Sequence, residues 1–187
     1  MLAVKNGQVE QFGALFRRHY ARLFAFFYRM TADPAASEDL VQEVFVRMLK
    51  YRNTFVETSD FSGWMYQIAR NTRADFFRKR QSEVLAVDRI AGDHRPLAAH
   101  EYERQEQIST LQRALLALPE EKRELLILAR FEEMKYETIA ALLQIEVGAV
   151  KVRVHRAVRE LRDLFLKMSG EETKCDVKKP KTTLRTT

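Results

Sequence analysis

The sequence predicts an all-α protein of two small helical domains joined by a flexible linker, the C-terminal one containing a helix-turn-helix. Three observations carry that expectation. Apolar residues recur at three- and four-residue spacing almost throughout the 187 residues, and strand-like alternation bounded by turn residues is scarce. Periodicity fades between Gln81 and His100, where Gly92, Asp93 and Pro96 accumulate as in a linker. Further on, a short apolar-periodic segment, a tight break and a longer basic segment follow one another in the manner of a helix-turn-helix.

In the first helix, residues 7 to 30, Phe12, Leu15, Phe16, Leu23, Phe27 and Met30 share one face at about 100° per residue, and that face turns to the core. His19 falls on it as a core histidine with a backbone partner. Asp33 followed by Pro34 reads as an N-cap and first helical residue, because proline has no amide hydrogen to lose there, and a second helix follows to residue 52. Its buried arc is Leu40, Val41, Val44, Phe45, Met48 and Leu49, which leaves Asp39, Gln42, Glu43 and Val46 together outside. An acidic face with one apolar residue in its middle suits either protein docking or plain solvation.

The polar stretch Asn53 to Asp60 breaks the pattern before a third helix, Phe61 to Arg80, whose core side carries Phe61, Trp64, Met65, Ile68, Thr72 and Phe76. Opposite lie Tyr66, Arg70, Arg73 and Phe77 at i, i+4, i+7 and i+11. Aromatic and basic groups interleaved on an exposed stripe suit stacked bases and phosphates, although the two rings could equally pack on the linker or second domain. Asn71 lies beside the stripe, and taken alone reads as a solvated polar residue.

The second half opens with a helix from Glu101 to Leu118 and, past Pro119, another from Glu120 to Glu133. Tyr136 to Leu143 and Gly148 to Lys167 then form the two helices of the helix-turn-helix. On the last helix Val150, Val154, Ala157, Val158, Leu161 and Phe165 point inward. The other arc holds Lys151, Val152, His155, Arg156, Arg159 and Arg162, which fits phosphates and base edges in a major groove, with Val152 placed for a thymine methyl. A solvated basic face with pairs such as Arg156 to Glu160 is the simpler alternative. The expected organisation is therefore a domain over 1–80, a linker over 81–100, a domain over 101–168 and a disordered basic tail over 169–187.

Charge narrows the function classes. Lys and Arg number 32 against 26 Asp and Glu, a formal net charge of +6, and the excess gathers at residues 70 to 80 and 149 to 162. One cysteine excludes an intramolecular disulfide framework and a multi-cysteine metal cluster, and points to a reducing compartment. No apolar run of about eighteen residues and no signal-peptide order occur, so a cytoplasmic protein without membrane insertion is expected. Phosphate loops, His-Glu-x-x-His and nucleophile elbows are also missing, so neither an enzyme nor a cofactor or metal is expected.

Five segments in order and spacing resemble the extracytoplasmic-function (ECF) group of sigma-70 family initiation factors. They are Asp39-Leu-Val-Gln42-Glu43-Val-Phe45, Trp64-Met-Tyr66-Gln-Ile68-Ala-Arg70-Asn71-Thr72, Leu118-Pro119-Glu120-Glu121-Lys122-Arg123, Tyr136-Glu137-Thr138-Ile139-Ala140 and Gly148-Ala-Val150-Lys151, within a match over residues 8 to 165. The resemblance implies a first domain that binds core RNA polymerase and the promoter's minus-ten element, and a second that binds the minus-thirty-five element. It places Asp39, Gln42, Glu43 and Val46 against the polymerase clamp, and Tyr66, Arg70, Asn71 and Arg73 against minus-ten DNA. A flipped base would enter a pocket made by the loop Asn53 to Ser62 and Asn71. Lys151, Val152, Arg153, His155 and Arg156 would meet the minus-thirty-five element, and an anti-sigma factor is a further partner the family implies. Gln144, Glu146, Ala149 and Val152 depart from the family's usual glycine and hydroxyl residues around this helix, which removes two hydroxyls that could bind phosphate. The rival reading is a free-standing helix-turn-helix regulator, which binds its operator without polymerase.

Overall fold

The computed structural model describes residues 1–83 and 99–170, with side chains described over 1–79 and 105–170. Of the expected linker, residues 84–98 lie outside the described residues, as do residues 171–187 of the expected disordered tail. No strand occurs among the described residues.

Chain direction is set first by a short helix, α1 (Leu2–Lys5), and a 3-10 turn, Val9–Gln11. The long helix expected from residue 7 starts instead at Phe12, because Gly7 takes a φ of +99° that a continuous right-handed helix cannot contain. It runs as α2 (Phe12–Thr31) and stops at Ala32, whose left-handed φ of 54° lets its amide donate to the Tyr28 carbonyl at 2.8 Å. Asp33 then caps α3 (Pro34–Lys50) as expected, its Oδ1 accepting from the Ala36 amide at 3.0 Å. Of the two residues past Lys50 expected in this helix, Tyr51 is its C-cap and Arg52 opens the 3-10 turn Arg52–Thr54. The third helix, α4 (Phe61–Glu83), starts as expected and continues three residues beyond Arg80.

These three helices bury Leu23, Phe27 and Met30 against Leu40, Val41, Val44 and Met48, all at 3% exposure or less. Phe16, assigned to the core side, is 40% exposed, and Phe26, which was not, is fully buried. The reason is tertiary: the Phe26 ring packs edge-on against Tyr66 at 5.2 Å, on the side of α2 that meets α4. His19 also departs from expectation, since its Nδ1 is buried with no hydrogen-bond partner and its ring lies 5.0 Å from Phe61.

The second half comprises α5 (Ala99–Ala117), α6 (Glu120–Leu126), α7 (Tyr136–Leu143) and α8 (Val147–Ser169). α8 is its axis, with α5, α6 and α7 all packed on it through Val150, Val154 and Ala157. Val158, expected inward, is 38% exposed. The helix expected over Glu120 to Glu133 changes pitch at Ile127–Phe131, a π-helical turn in which the Glu132 amide reaches back to the Ile127 carbonyl at 2.9 Å. Leu125, Leu126, Ile127 and Leu128 are consecutive and all at most 2% exposed. Four neighbours at about 100° steps point to nearly every side of a helix, so the segment must be covered all round.

That cover comes from the first domain. α5 and α6 lie on α2, α7 lies on α4, and buried side chains of both halves form one continuous apolar cluster. The domains are therefore packed together as well as tethered.

Candidate nucleic-acid interface

The helix-turn-helix is built as the sequence suggests. α7 ends at Gln144, whose φ of 55° and ψ of 46° are left-handed, and the Ile145 amide closes the turn on the Ala140 carbonyl at 3.0 Å. Glu146 precedes α8 without a side-chain capping bond, glutamate being a poorer N-cap than serine or aspartate. Burial of Val150 and Val154 fixes the rotation of α8, so Lys151, Val152, Arg153, His155 and Arg156 are all exposed together at its N-terminal end. The Arg156–Glu160 pair of the alternative, solvated-face reading does not form: Glu160 instead receives Lys122 of α6 at 2.5 Å. Arg156 is left facing solvent.

On α3, Asp39, Gln42, Glu43 and Val46 form one exposed surface, with Val46 at 59% exposure in its middle. Arg47 accompanies them, donating to Glu43 at 2.7 Å and to Asp75 of α4 at 2.6 Å. Those hydrogen bonds raise the Arg47 pKa above the ordinary arginine value, and the bond from Arg47 holds the Asp75 carboxyl below the usual carboxylate value.

The loop before α4 is anchored at one end and open at its tip. Phe55 is 5% exposed, edge-on to Trp64 at 5.4 Å, and its carbonyl accepts from Lys5 of α1 at 2.7 Å. Val56 to Ser59 are exposed. Asp60 caps α4 through the Ser62 amide at 3.0 Å and receives the Thr138 hydroxyl of α7 at 3.1 Å. Gly63 matters here because a Cβ on it would stand 3.1 Å from Thr138 Cγ2, which lets α4 and α7 approach closely.

The α4 stripe is where structure and expectation part. Asn71 is exposed, with its side-chain oxygen accepting from Gln67 at 3.2 Å. Tyr66, Arg70 and Arg73, expected on an exposed stripe, are covered by the second domain. Tyr66 is fully buried, and its hydroxyl donates to Glu132. Burial, reinforced by the Glu132 carboxylate, pushes the phenol far above its ordinary pKa. Arg70 pairs with Glu124 at 2.8 Å and donates to the Leu142 carbonyl at 2.9 Å. Arg73 pairs with Glu120 at 2.6 Å, yet its Nε is buried with no partner. Phe77 is half-buried.

Sequence reasoning missed the other members of this contact. Arg22 of α2 pairs with Glu132 at 2.7 Å and also donates to the Glu132 carbonyl. Burial lowers its pKa, but the hydrogen bond and charge of Glu132 outweigh that and raise it on balance. Arg29 stacks its guanidinium 4.4 Å over the Phe131 ring, a cation–π contact between the domains. From the other side, Arg123 donates to the Met30 carbonyl at 2.7 Å, and burial lowers its pKa. The run Leu125 to Leu128, with Glu124 before it and Glu132 four residues after it, carries no local mark of this contact, because what covers the run lies in the other domain.

A three-helix domain with a basic and aromatic α4, followed by a helix-turn-helix domain with an exposed basic α8, defines a two-domain helical DNA-binding protein. Two family models match in that order: Sigma-70 region 2 over residues 15–83, and Sigma-70, region 4 over residues 108–161. The ECF RNA polymerase sigma factor SigE of Mycolicibacterium smegmatis is 33% identical over 162 residues, covering 84% of this chain and 62% of that relative's length. The RNA polymerase sigma-H factor of Pseudomonas aeruginosa is 31% identical over 174 residues, covering 87% of this chain and 90% of the relative. Among solved structures, the sigma factor RpoE of Bartonella quintana, in complex with the anti-sigma factor NepR, matches with a TM-score of 0.68 at 25% identity, covering 83% of this chain and 96% of that one. The chain belongs to the ECF group of the sigma-70 family. Members of that family are transcription initiation factors rather than catalysts, and no helix among the described residues is long and apolar enough to cross a membrane.

Proposed function

We propose that this sigma factor binds core RNA polymerase through the outer face of α3 and directs it to promoters by reading two DNA elements, one with each domain. The α8 geometry carries this reading: one side is locked into the fold by Val150, Val154 and Ala157, while Lys151, Val152, Arg153, His155 and Arg156 stand free at its N-terminal end to enter the minus-thirty-five major groove. In the first domain, residues 1–80, Tyr66, Arg70, Asn71 and Arg73 meet the minus-ten element once the second domain is drawn off Tyr66, Arg70 and Arg73, with the exposed loop tip Val56 to Ser59 as the mouth of a base pocket. Unstacking one base costs a few kcal/mol, offset by stacking and phosphate contacts once the strands part.

On α3, Asp39, Gln42, Glu43 and Val46 dock on a basic and apolar strip of the polymerase clamp. Neither domain needs high affinity alone, because the polymerase holds both at a fixed separation and raises the effective concentration of each for its element. The protein works in the cytoplasm, has no catalytic activity of its own, and exchanges polymerase for an anti-sigma factor when held inactive.

Run-off transcription with core polymerase on a pool of promoter fragments tests this. Discrete transcripts that depend on the chain are expected. The double substitution Asp39→Ala and Glu43→Ala is expected to weaken co-elution with core polymerase at least tenfold, about 1.4 kcal/mol, with helical content unchanged. Normal co-elution by the folded double variant removes α3 as the docking face.

A further inference from the structure

Residues 1–11 precede the span matched to Sigma-70 region 2 and have no part in polymerase or DNA binding as proposed above. Two contacts nevertheless tie them to the loop that forms the base pocket. Val4 is fully buried, and α1 packs on both 3-10 turns, the second of which, Arg52–Thr54, leads into that loop. The Lys5 ammonium donates to the Phe55 carbonyl at 2.7 Å, fifty residues along the chain. Resting on the minus-ten reading, we infer that α1 is a positioning element for the base pocket and that Lys5, by fixing the Phe55 carbonyl, sets how well the loop selects its base.

Backbone geometry makes this contact directional. The Phe55 oxygen and the Val56 amide belong to one planar peptide unit, so a donor that holds the oxygen also fixes the direction in which the chain leaves for the exposed tip. Phe55 is held on its other side by its ring, which lies edge-on to Trp64 at 5.4 Å and to Phe61 at 6.0 Å. Trp64 Nε1 in turn donates to Thr54 Oγ1 at 3.2 Å, and Thr54 donates to the Tyr51 carbonyl at 2.7 Å. The root of the loop is thus gripped by α4 through side chains and by α1 through the backbone. Its tip is looser: Val56 is 54% exposed, and a bond from the Ser59 amide to the Val56 carbonyl at 2.9 Å closes the turn. A charge-assisted hydrogen bond is about twice as strong as a neutral one, which makes Lys5 a firm hold on the peptide where the tip begins.

The local sequence brings α1 back over the loop. Gly7 takes its φ of +99° while its amide donates to the Val4 carbonyl at 3.2 Å and that of Gln8 to the Ala3 carbonyl at 2.9 Å. A Cβ on Gly7 would meet nothing within 4 Å, so glycine serves there for its backbone conformation rather than for space. Lys5 itself is half-buried with its ammonium turned to a carbonyl, whereas a lysine serving a DNA phosphate would stand free in solvent.

Two readouts on the full chain test the inference. Trp64, the protein's one tryptophan, packs on Phe55 and reports the loop without polymerase. In Lys5→Met its emission is expected to shift to the red and to be quenched more readily by acrylamide, with helical content unchanged, and Lys5→Arg is expected to restore both. Gly7→Ala, which strains the turn that returns α1 and leaves Lys5 in place, is expected to act like Lys5→Met. Unchanged Trp64 emission in a folded Lys5→Met protein overturns the inference.

The second readout is base selectivity by the holoenzyme on the strongest promoter from the run-off pool, remade with each of the four bases at every minus-ten position. A wrong base at a read position lowers binding roughly five- to hundredfold, and Lys5→Met is expected to shrink that ratio by about threefold. An equal loss for all four bases, with a shallower salt dependence, makes Lys5 a phosphate contact and overturns the inference. A wild-type holoenzyme that selects no base there defeats the minus-ten reading and the inference with it. A selective wild type beside an equally selective Lys5→Met defeats the inference alone.

Discussion

His19 is the residue at which burial and titration meet most simply. Burial first, then the charges of Arg18 and Arg22, lower its pKa from the ordinary 6.5, and its buried Nδ1 finds no acceptor. The unfolded chain thus takes up the proton before the folded one does. Stability contributed by the neutral ring is complete above pH 6.5 and declines as the pH falls below it. Replacing His19 with Leu is expected to flatten the fall in denaturation midpoint between pH 7 and 5, which urea melts at several pH values will show. A parallel fall in both proteins assigns the loss to other groups. His19 was legible as a core residue because its place on α2 follows from periodicity, but its lack of a partner was not. Whether a polar atom finds an acceptor depends on Phe61, which stands 42 residues along the chain and 5.0 Å away.

The elements most readable in the sequence were those decided by neighbours along the chain. Asp33 and Pro34 announced the start of α3, and Tyr136–Leu143 occupies the expected residues because its apolar spacing and the following break are both local. Gln144 shows the limit of such reasoning in the opposite direction. Its left-handed conformation belongs at a helix C-terminus where glycine fits without strain, and the side chain itself is exposed. Gln144→Gly is expected to stabilise the protein by about 1 kcal/mol, since a side chain in this conformation costs roughly 1–2 kcal/mol and glycine's extra freedom when unfolded returns part of that. Thermal denaturation gives the sign directly, and a lowered midpoint refutes the strain argument. By contrast, the π-helical turn left no local mark. The Leu125 to Leu128 run reads as an ordinary helix until something is known to cover its second side, and the covering helix, α2, lies about a hundred residues earlier. Tyr66 is buried as one of its two sequence readings allowed, by packing on the second domain, whereas Arg73 read as solvent-facing because the Glu120 that covers it lies 47 residues further along the chain.

Considered whole, the molecule has two domains by connectivity and one apolar cluster by packing. Burial shared across a boundary makes each half part of the other's stability, so calorimetry on the wild-type chain is expected to give a single unfolding transition. Glu120→Gln, Glu124→Gln and Glu132→Gln together remove the interdomain anions, and that variant is expected to show two transitions, the earlier one at a lower temperature than the wild-type midpoint. Two transitions in the wild type would mean that the domains meet without sharing stability. Arg70 also constrains how such a protein can evolve. It holds Glu124 and the Leu142 carbonyl across the boundary between the domains, and under the proposed function it is also a promoter contact. A substitution there that alters promoter preference also alters the packing of the two domains, so drift in one trait is answered by compensation in the other. Glu124 is the nearest place for that compensation, and pairs of changes at 70 and 124 are the signature to seek among descendants of this sequence.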